Sequence, residues 1–423
     1  MYAHQHSASW RLFGLSSLLG LLDPITGTRD KLLETLIAWS DINSGSGNIE
    51  GVEKIATLAT GRFSELGYDV QRIETEPVAM IGPDGQEGTI QRGPILHFTA
   101  RPNATRRIML AGHLDTVFPV NDSFQKAVIR KDGTLHGPGT ADMKGGLLVM
   151  AQALACFEQS GLADDIGIDV VLNSDEEVAS YASSPYMEKV AAHCDAGFVF
   201  EPSMPDGSLA GARAGSGNYD VVVTGRAAHA GREFDKGRNA IAGAARVVGA
   251  LNALNGQRDA VTLNIGLIAG GTALNVVPER AIVRLNVRAR TPDDLAWVDS
   301  AIRETITSGD FGADITAQLH GRIHRPAKPM TPQLESLFET VRSAGGDLGV
   351  PVRWAATGGC CDGNNLARAG LPTVDTMGVR GAFIHSHDEY AVIDSFEERT
   401  RLTALSLLKL ASGEAVWPKD IAS

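Results

Sequence analysis

Arg107-Ile-Met-Leu-Ala-Gly-His113-Leu-Asp115 is a short apolar run that ends on a histidine, with an aspartate two residues beyond. Three other runs repeat the arrangement. Ile166-Gly-Ile-Asp-Val-Val-Leu precedes Glu177, Gly197-Phe-Val-Phe precedes Glu201, and Thr373-Val-Asp-Thr-Met leads towards His385. Such runs have strand character, while Gly145-Gly-Leu-Leu-Val-Met-Ala-Gln-Ala-Leu-Ala reads as helix. Strands alternating with helices predict a mostly parallel sheet flanked by helices, and sheets of that kind gather their sites at the carboxyl ends of the strands. The polar residues that follow these runs are therefore expected at one rim. Asp142 differs, because it stands just before the helix that begins near Gly145, where free amide groups and the positive end of the helix can hold a carboxylate.

A second pattern occupies about Ala214 to Arg325. Asn218-Tyr-Asp-Val-Val-Val-Thr reads as strand, Asn239 to Leu254 as helix, Val261 to Ile268 and Ala281 to Ala289 as strands, Asp293 to Ser308 as helix, and Asp314-Ile-Thr-Ala-Gln-Leu as strand. That βαββαβ order is the split arrangement of a ferredoxin-like fold. It predicts a larger domain made of residues 1–213 and 326–423, with residues 214–325 inserted as a second domain. No internal repeat is visible.

Length agrees with two domains, since 423 residues exceed what one ordinary hydrophobic core holds. With 43% apolar and 21% charged residues the composition is that of a soluble globular protein. A formal charge of -12 argues against nucleic acid or an anionic membrane as partner. Cys156, Cys194, Cys360 and Cys361 form neither a CxxC pair nor a disulfide framework, so free thiols and a reducing, cytoplasmic location are expected. The apolar stretch Leu12 to Leu22 behind Arg11 lacks a cleavage site and is too short to span a bilayer; it reads as a helix packed on the body. His4 and His6 match no motif and are expected in solvent.

Imidazole nitrogen and carboxylate oxygen are the donors that zinc prefers, and His113, Asp142, Glu177, Glu201 and His385 supply both. Taken singly, Glu176 and Glu177 read as solvated loop acids and His229 or Arg288 as surface groups. Their settings say more. Ala-Gly-His113-Leu-Asp115-Thr-Val, Gly-Pro-Gly139-Thr-Ala-Asp142-Met-Lys144-Gly-Gly, Asn173-Ser-Asp-Glu176-Glu177-Val, Phe-Val-Phe-Glu201-Pro and Ile-His385-Ser-His-Asp-Glu389-Tyr occur in that order. Together they resemble the M20 metallopeptidase family, most of all its glutamate carboxypeptidase-like branch, from about Thr28 to about Gly413.

The resemblance implies an α/β, zinc aminopeptidase-like catalytic domain with an inserted ferredoxin-like α+β lid that also forms a homodimer. It implies two Zn2+ per subunit, replaceable by Co2+ or Mn2+, one held by His113, Asp142 and Glu201 and the other by Asp142, Glu177 and His385. Charge agrees, because two divalent cations balance three carboxylates and one hydroxide. His385 is preferred to His387 because the family places its ligand four residues before a glutamate, here Glu389.

The resemblance also assigns roles. Glu176 would be the general base and acid, and Asp115 would orient the ring of His113. His229, within Gly225-Arg-Ala-Ala-His229-Ala-Gly, would reach from the partner subunit to the oxygen of the tetrahedral intermediate. Asn275 and Arg288 would grip the substrate carboxylate, although Asn286 stands where the family commonly has Asp. In Gly358-Gly359-Cys360-Cys361-Asp362-Gly-Asn364 the glycines would let the backbone approach that carboxylate, and Cys361 replaces a Ser or Thr.

The expected reaction is hydrolysis of the amide bond to an amino acid with a free carboxylate, in an N-acyl amino acid or at the C-terminus of a small peptide, by hydroxide formed at the metals. A deacetylase or dipeptidase of the same family is the alternative. A binding protein that lost catalysis would lack a ligand or the base, and none is missing. The branch that loads one metal through a cysteine near the second motif is disfavoured by Asp142.

Overall fold

The computed structural model describes residues 15–422, so His4, His6, Arg11 and the start of the Leu12 to Leu22 run lie outside the described residues. The rest of that run forms the helix Leu15–Gly20, and Leu18 and Leu22 are buried in the main core. Among the described residues no helix is long and apolar enough to cross a membrane.

Ten strands build the two principal sheets: β1 (Asp69–Ile73), β2 (Ile95–Ala100), β3 (Arg106–His113), β4 (Ile166–Asn173), β5 (Ala196–Val199), β6 (Gly215–Thr224), β7 (Val261–Gly270), β8 (Arg280–Ala289), β9 (Thr316–Arg325) and β10 (Thr373–Val374). The larger domain holds a six-stranded sheet in the order β1-β2-β4-β3-β5-β10. β3 runs parallel to β4 and β5, and β10 parallel to β5, while β2 and β1 continue the sheet antiparallel at one edge. Alternation along β3 sends Ile108 and Leu110 into one core, with the helices Lys144–Glu158 and Ser395–Ser412. Met109 and Ala111 face the opposite core with Ser184–Ala191 and Asp362–Arg368.

The helix Lys144–Glu158 is apolar on every side and is accordingly buried on nearly all of them. Its first turn approaches the strand ends closely. A Cβ on Gly145 would lie 2.4 Å from the Thr140 carbonyl oxygen, and one on Gly146 2.0 Å from that of Phe200. The two glycines therefore bring the helix start against the loop that carries Asp142 and the end of β5.

The inserted domain has the order β7-β8-β6-β9, with every neighbouring pair antiparallel. Helices Ala240–Asn252 and Pro292–Ser308 cover one face over Tyr219, Val221, Val223, Leu285 and Val287. Asn239 caps the first helix by accepting from the Ala242 N–H, and Thr291 caps the second by accepting from Asp294, with Pro292 following. The alternate residues, among them Asn218, Asn286 and Arg288, stand on the open face of the sheet. This is the ferredoxin-like lid expected from the sequence. The strand expected over Asp314 to Leu319 starts later and runs on to Arg325. Arg213 and Lys328, on either side of the insertion, exchange two backbone hydrogen bonds of 2.9 and 3.0 Å.

Candidate metal centre

His113 is the last residue of β3, and the parallel register sets it beside Asn173 at the end of β4. The chain leaving β4 folds into the short turn Glu176–Val178, and the chain leaving β5 reaches Glu201 two residues later. Asp142 is placed by Glu389, whose buried carboxylate accepts the N–H groups of Gly139 at 3.2 Å and of Ala141 and Asp142 at 3.0 Å.

These elements bring all five expected ligands together. His113 Nε2 lies 3.1 Å from Asp142 Oδ1 and 3.7 Å from Glu201 Oε1. On the other side, His385 Nε2 lies 3.3 Å from Asp142 Oδ2 and 3.2 Å from Glu177 Oε2. Two sets of three donor atoms, each set within 4.8 Å, thus share Asp142. His387 stands apart, exposed and paired with Asp122 at 2.8 Å.

The cluster crowds three carboxylates around two imidazoles. Burial, and then the nearby Asp142, push Glu177 up to about 8 and hold Glu201 well above the usual carboxylate range. Hydrogen bonds to Asp142 and Glu177 raise His385 to about 11. Divalent cations would relieve this repulsion, and one imidazole with two carboxylates is a donor set that zinc accepts. The residues present fit a pair of such ions.

Asp115 supports the site from behind. The His113 ring bonds through Nδ1 to the main-chain carbonyl of Asp115 at 3.0 Å, while the carboxylate stands at 3.4 Å. A carbonyl can only accept, so Nδ1 carries a proton in this contact and Nε2 is the ring nitrogen directed at the cluster. The Asp115 carboxylate accepts from Ser46 Oγ at 2.7 Å and from the N–H groups of Glu176 and Glu177 at 3.2 Å. It thereby fixes the turn carrying both glutamates. Burial pushes Glu176 up to about 7 against the opposing pull of Arg325.

Arg325, Asp362, Asp375, Arg213 and Lys328 were not singled out as site residues from sequence. Arg325 pairs with Glu176 and with Asp362, each at 2.7 Å. Beside them Asp375 takes Arg213 at 2.8 Å and Lys328 at 2.6 Å, and Arg213 also donates to the Gly359 carbonyl at 3.3 Å. Each of these charges is buried.

The substrate-side residues fall into two places. Arg288 donates to Cys360 Sγ at 2.9 Å and to Asn286 Oδ1 at 3.0 Å, so it meets the loop of Gly358 and Gly359, both exposed. Cys361 is buried and caps the helix Asp362–Arg368, accepting from the Gly363 N–H while the Asn364 side chain accepts from its own N–H. His229 and Asn275 lie elsewhere, exposed on the ribbon that pairs Ala228–His229 with Val276–Val277. His229 Nδ1 accepts from the Gly231 N–H at 3.1 Å. Among the described residues no hydrogen bond or ion pair joins His229 or Asn275 to the metal-ligand cluster.

Residues 109–409 match the model of Peptidase family M20/M25/M40. The chain belongs to the M20 peptidase family. It is 27% identical over 406 residues to carboxypeptidase G2 of Pseudomonas sp. (strain RS-16), covering 93% of this chain and 92% of that protein. It is also 27% identical over 411 residues to succinyl-diaminopimelate desuccinylase of Gluconacetobacter diazotrophicus, covering 93% and 100%. The fold matches a solved M20 family metallo-carboxypeptidase from Sulfolobus solfataricus with a TM-score of 0.69 at 17% identity, over 90% of this chain and 99% of that one. As an M20 protein it is a metal-dependent hydrolase of peptide or other C–N bonds.

Proposed function

We propose that this M20 hydrolase cleaves the amide bond to an amino acid with a free α-carboxylate, releasing it from an N-acyl amino acid or from the C-terminus of a small peptide. Two Zn2+ per subunit, or Co2+ or Mn2+ in their place, are held by His113, Asp142 and Glu201 and by Asp142, Glu177 and His385. The observation that carries this reading is the sharing of Asp142 between two complete donor sets with Glu176 alongside. The names of the two relatives, a carboxypeptidase and a desuccinylase, agree with it.

When bound, the metals supply Lewis acidity, which polarises the amide carbonyl and lowers the pKa of water towards neutrality. Glu176 accepts the water proton. Its Oε1 is held by Arg325, which leaves Oε2 to take that proton and return it to the departing nitrogen. Arg288 receives the α-carboxylate in a bidentate contact, helped by the main chain of Gly358 and Gly359. Its Nη1 partner here is the Cys360 sulfur, a weak acceptor that a carboxylate readily displaces.

His229 completes the site from the lid of a second subunit by donating to the oxyanion, and Asn275 joins Arg288 in gripping the α-carboxylate. A homodimer through the lid is supported by β7, an edge strand of its sheet that exposes Leu267 and Ile268. Leu274 in the neighbouring loop is fully exposed as well. In this reading residues 214–325 are the lid, and 1–213 with 326–423 the catalytic domain.

Incubating the metal-loaded protein with a panel of N-acyl amino acids and dipeptides, followed by mass spectrometry, should reveal release of a free amino acid. No turnover of any member would refute the proposal.

A further inference from the structure

Arg325 is the last residue of β9, where the chain leaves the lid, and only 1% of it is exposed. Its guanidinium spans two carboxylates. Nη1 donates to Asp362 Oδ1 at 2.7 Å. Nη2 donates to Glu176 Oε1 at 2.7 Å, to Ser180 Oγ at 2.9 Å and to the Glu176 carbonyl oxygen at 3.3 Å. Asp362 is a fixed anchor: its Oδ1 also accepts from Ser180 Oγ at 2.7 Å and Asn365 Nδ2 at 3.2 Å, and its Oδ2 accepts from Asn173 Nδ2. The planar fork of a guanidinium holds two such acceptors at a set angle, whereas an ammonium offers a point charge.

We propose that Arg325 is a positioning residue for the hydrolysis: braced on Asp362, it holds the Glu176 carboxylate in one orientation and ties that orientation to the lid. The inference rests on the reading of Glu176 as the base. Among the described residues, Arg325 makes the one hydrogen bond to the Glu176 side chain. A glutamate has three side-chain torsions, and displacement of a reacting group by about 1 Å can cost on the order of a hundredfold in rate. Because the guanidinium belongs to β9, a shift of that strand large enough to draw it off Asp362 would also withdraw the hydrogen bond from Glu176. The base is thus aligned in one setting of the lid.

Direct substrate binding by Arg325 is the competing role, and the geometry disfavours it. Nη1 and Nη2 already serve two carboxylates, a hydroxyl and a carbonyl within an enclosed site. Arg288, less buried and bonded to a thiol and a side-chain amide, is the cation open to a substrate carboxylate.

Arg325→Lys keeps a buried positive charge but cannot hold both carboxylates. In the metal-loaded variant kcat should fall about 10- to 100-fold while KM stays within about threefold, with both metals retained by elemental analysis. Hydrogen–deuterium exchange of the segment 174–182 should rise, since the Glu176 carbonyl and Ser180 lose their donor. In Arg325→Gly, added guanidinium at tens of millimolar should restore part of kcat. A rise in KM with kcat intact would make Arg325 a substrate contact, and an unchanged kcat would leave it a packing residue; either overturns the proposal. Should the wild type turn over no substrate, the functional reading fails by itself, and the exchange of segment 174–182 still decides: no rise overturns the assignment of Arg325.

Discussion

Glu389→Gln tests how the loop bearing the shared ligand is held. One carboxylate, 1% exposed, accepts three main-chain N–H groups at 3.0 to 3.2 Å. The amide retains one oxygen. If that oxygen stays on Ala141 and Asp142, the new NH2 group faces the N–H of Gly139, so one buried donor loses its acceptor and two donors meet. An unsatisfied buried donor costs about 1–3 kcal/mol, and the two remaining bonds lose charge assistance, which roughly halves them. A total of about 3–6 kcal/mol of lost loop order follows. Asp142 belongs to both donor sets, so both metals should weaken together, by about 10- to 100-fold each, as is usual when a group supporting a ligand is removed. Chelator competition monitored for each ion, with thermal unfolding alongside, measures both effects. Unchanged affinity for both ions would show that the helix start alone places Asp142, and weakening of one ion only would contradict its bridging role.

Glu176→Gln should lower turnover about a hundred- to ten-thousandfold with both metals still bound; near-normal activity at verified metal content would exclude it as the base. Mixing inactive His229→Ala subunits with inactive Glu176→Gln subunits should restore part of the activity if His229 acts across a dimer, and no recovery despite demonstrated subunit exchange would refute action in trans. Arg288→Ala should cost on the order of 2–5 kcal/mol in kcat/KM on free-acid substrates and little on the matching C-terminal amides; an equal loss on both would mean that it serves lid structure. His324 is buried with neither ring nitrogen bonded among the described residues, and burial, reinforced by Arg325, holds its pKa down at about 3 against an ordinary 6.5. The unfolded chain therefore binds the extra proton between those values, so this contribution to stability is complete above about pH 6.5 and is lost as pH falls towards 3. At pH 5 the loss is about 2 kcal/mol, and His324→Phe, which keeps the edge contact with Tyr181, should show a urea-unfolding difference between pH 7 and pH 5 smaller by that amount.

The rim of the sheet was legible because each ligand-bearing segment announces itself locally, as β3 does by running apolar up to His113. The lid was legible for a similar reason, since its alternation of buried and open residues persists through strands as long as ten residues. Arg325 was not. An arginine before a proline at a strand end looks like any surface charge, and what makes it special is a pairing with Glu176 across 149 residues of chain. The same holds for Asp375, which sits in an apolar strand-like segment and shows its purpose only when Arg213 and Lys328 close on it. Asp115 is tied in sequence to the His113 ring, but the sequence does not say which of its oxygens makes the bond. In the fold the main-chain carbonyl makes that bond and the carboxylate serves the Glu176 turn, a division that depends on where the backbone turns.

The paired hydrogen bonds between Arg213 and Lys328 make a seam. Two antiparallel residues that exchange both N–H to O=C bonds stand close enough for a two-residue reverse turn to join them. The larger domain is in that sense a continuous surface with one stitched opening. A chain in which such a turn replaced residues 214–327 would leave its six-stranded sheet unbroken, while removing Arg325, Arg288 and both lid helices at once. The candidate ligands and Glu176 belong to the fabric on one side of the seam, and Arg325 and Arg288, which in the proposed reading would align the base and receive the carboxylate, belong to the piece sewn in.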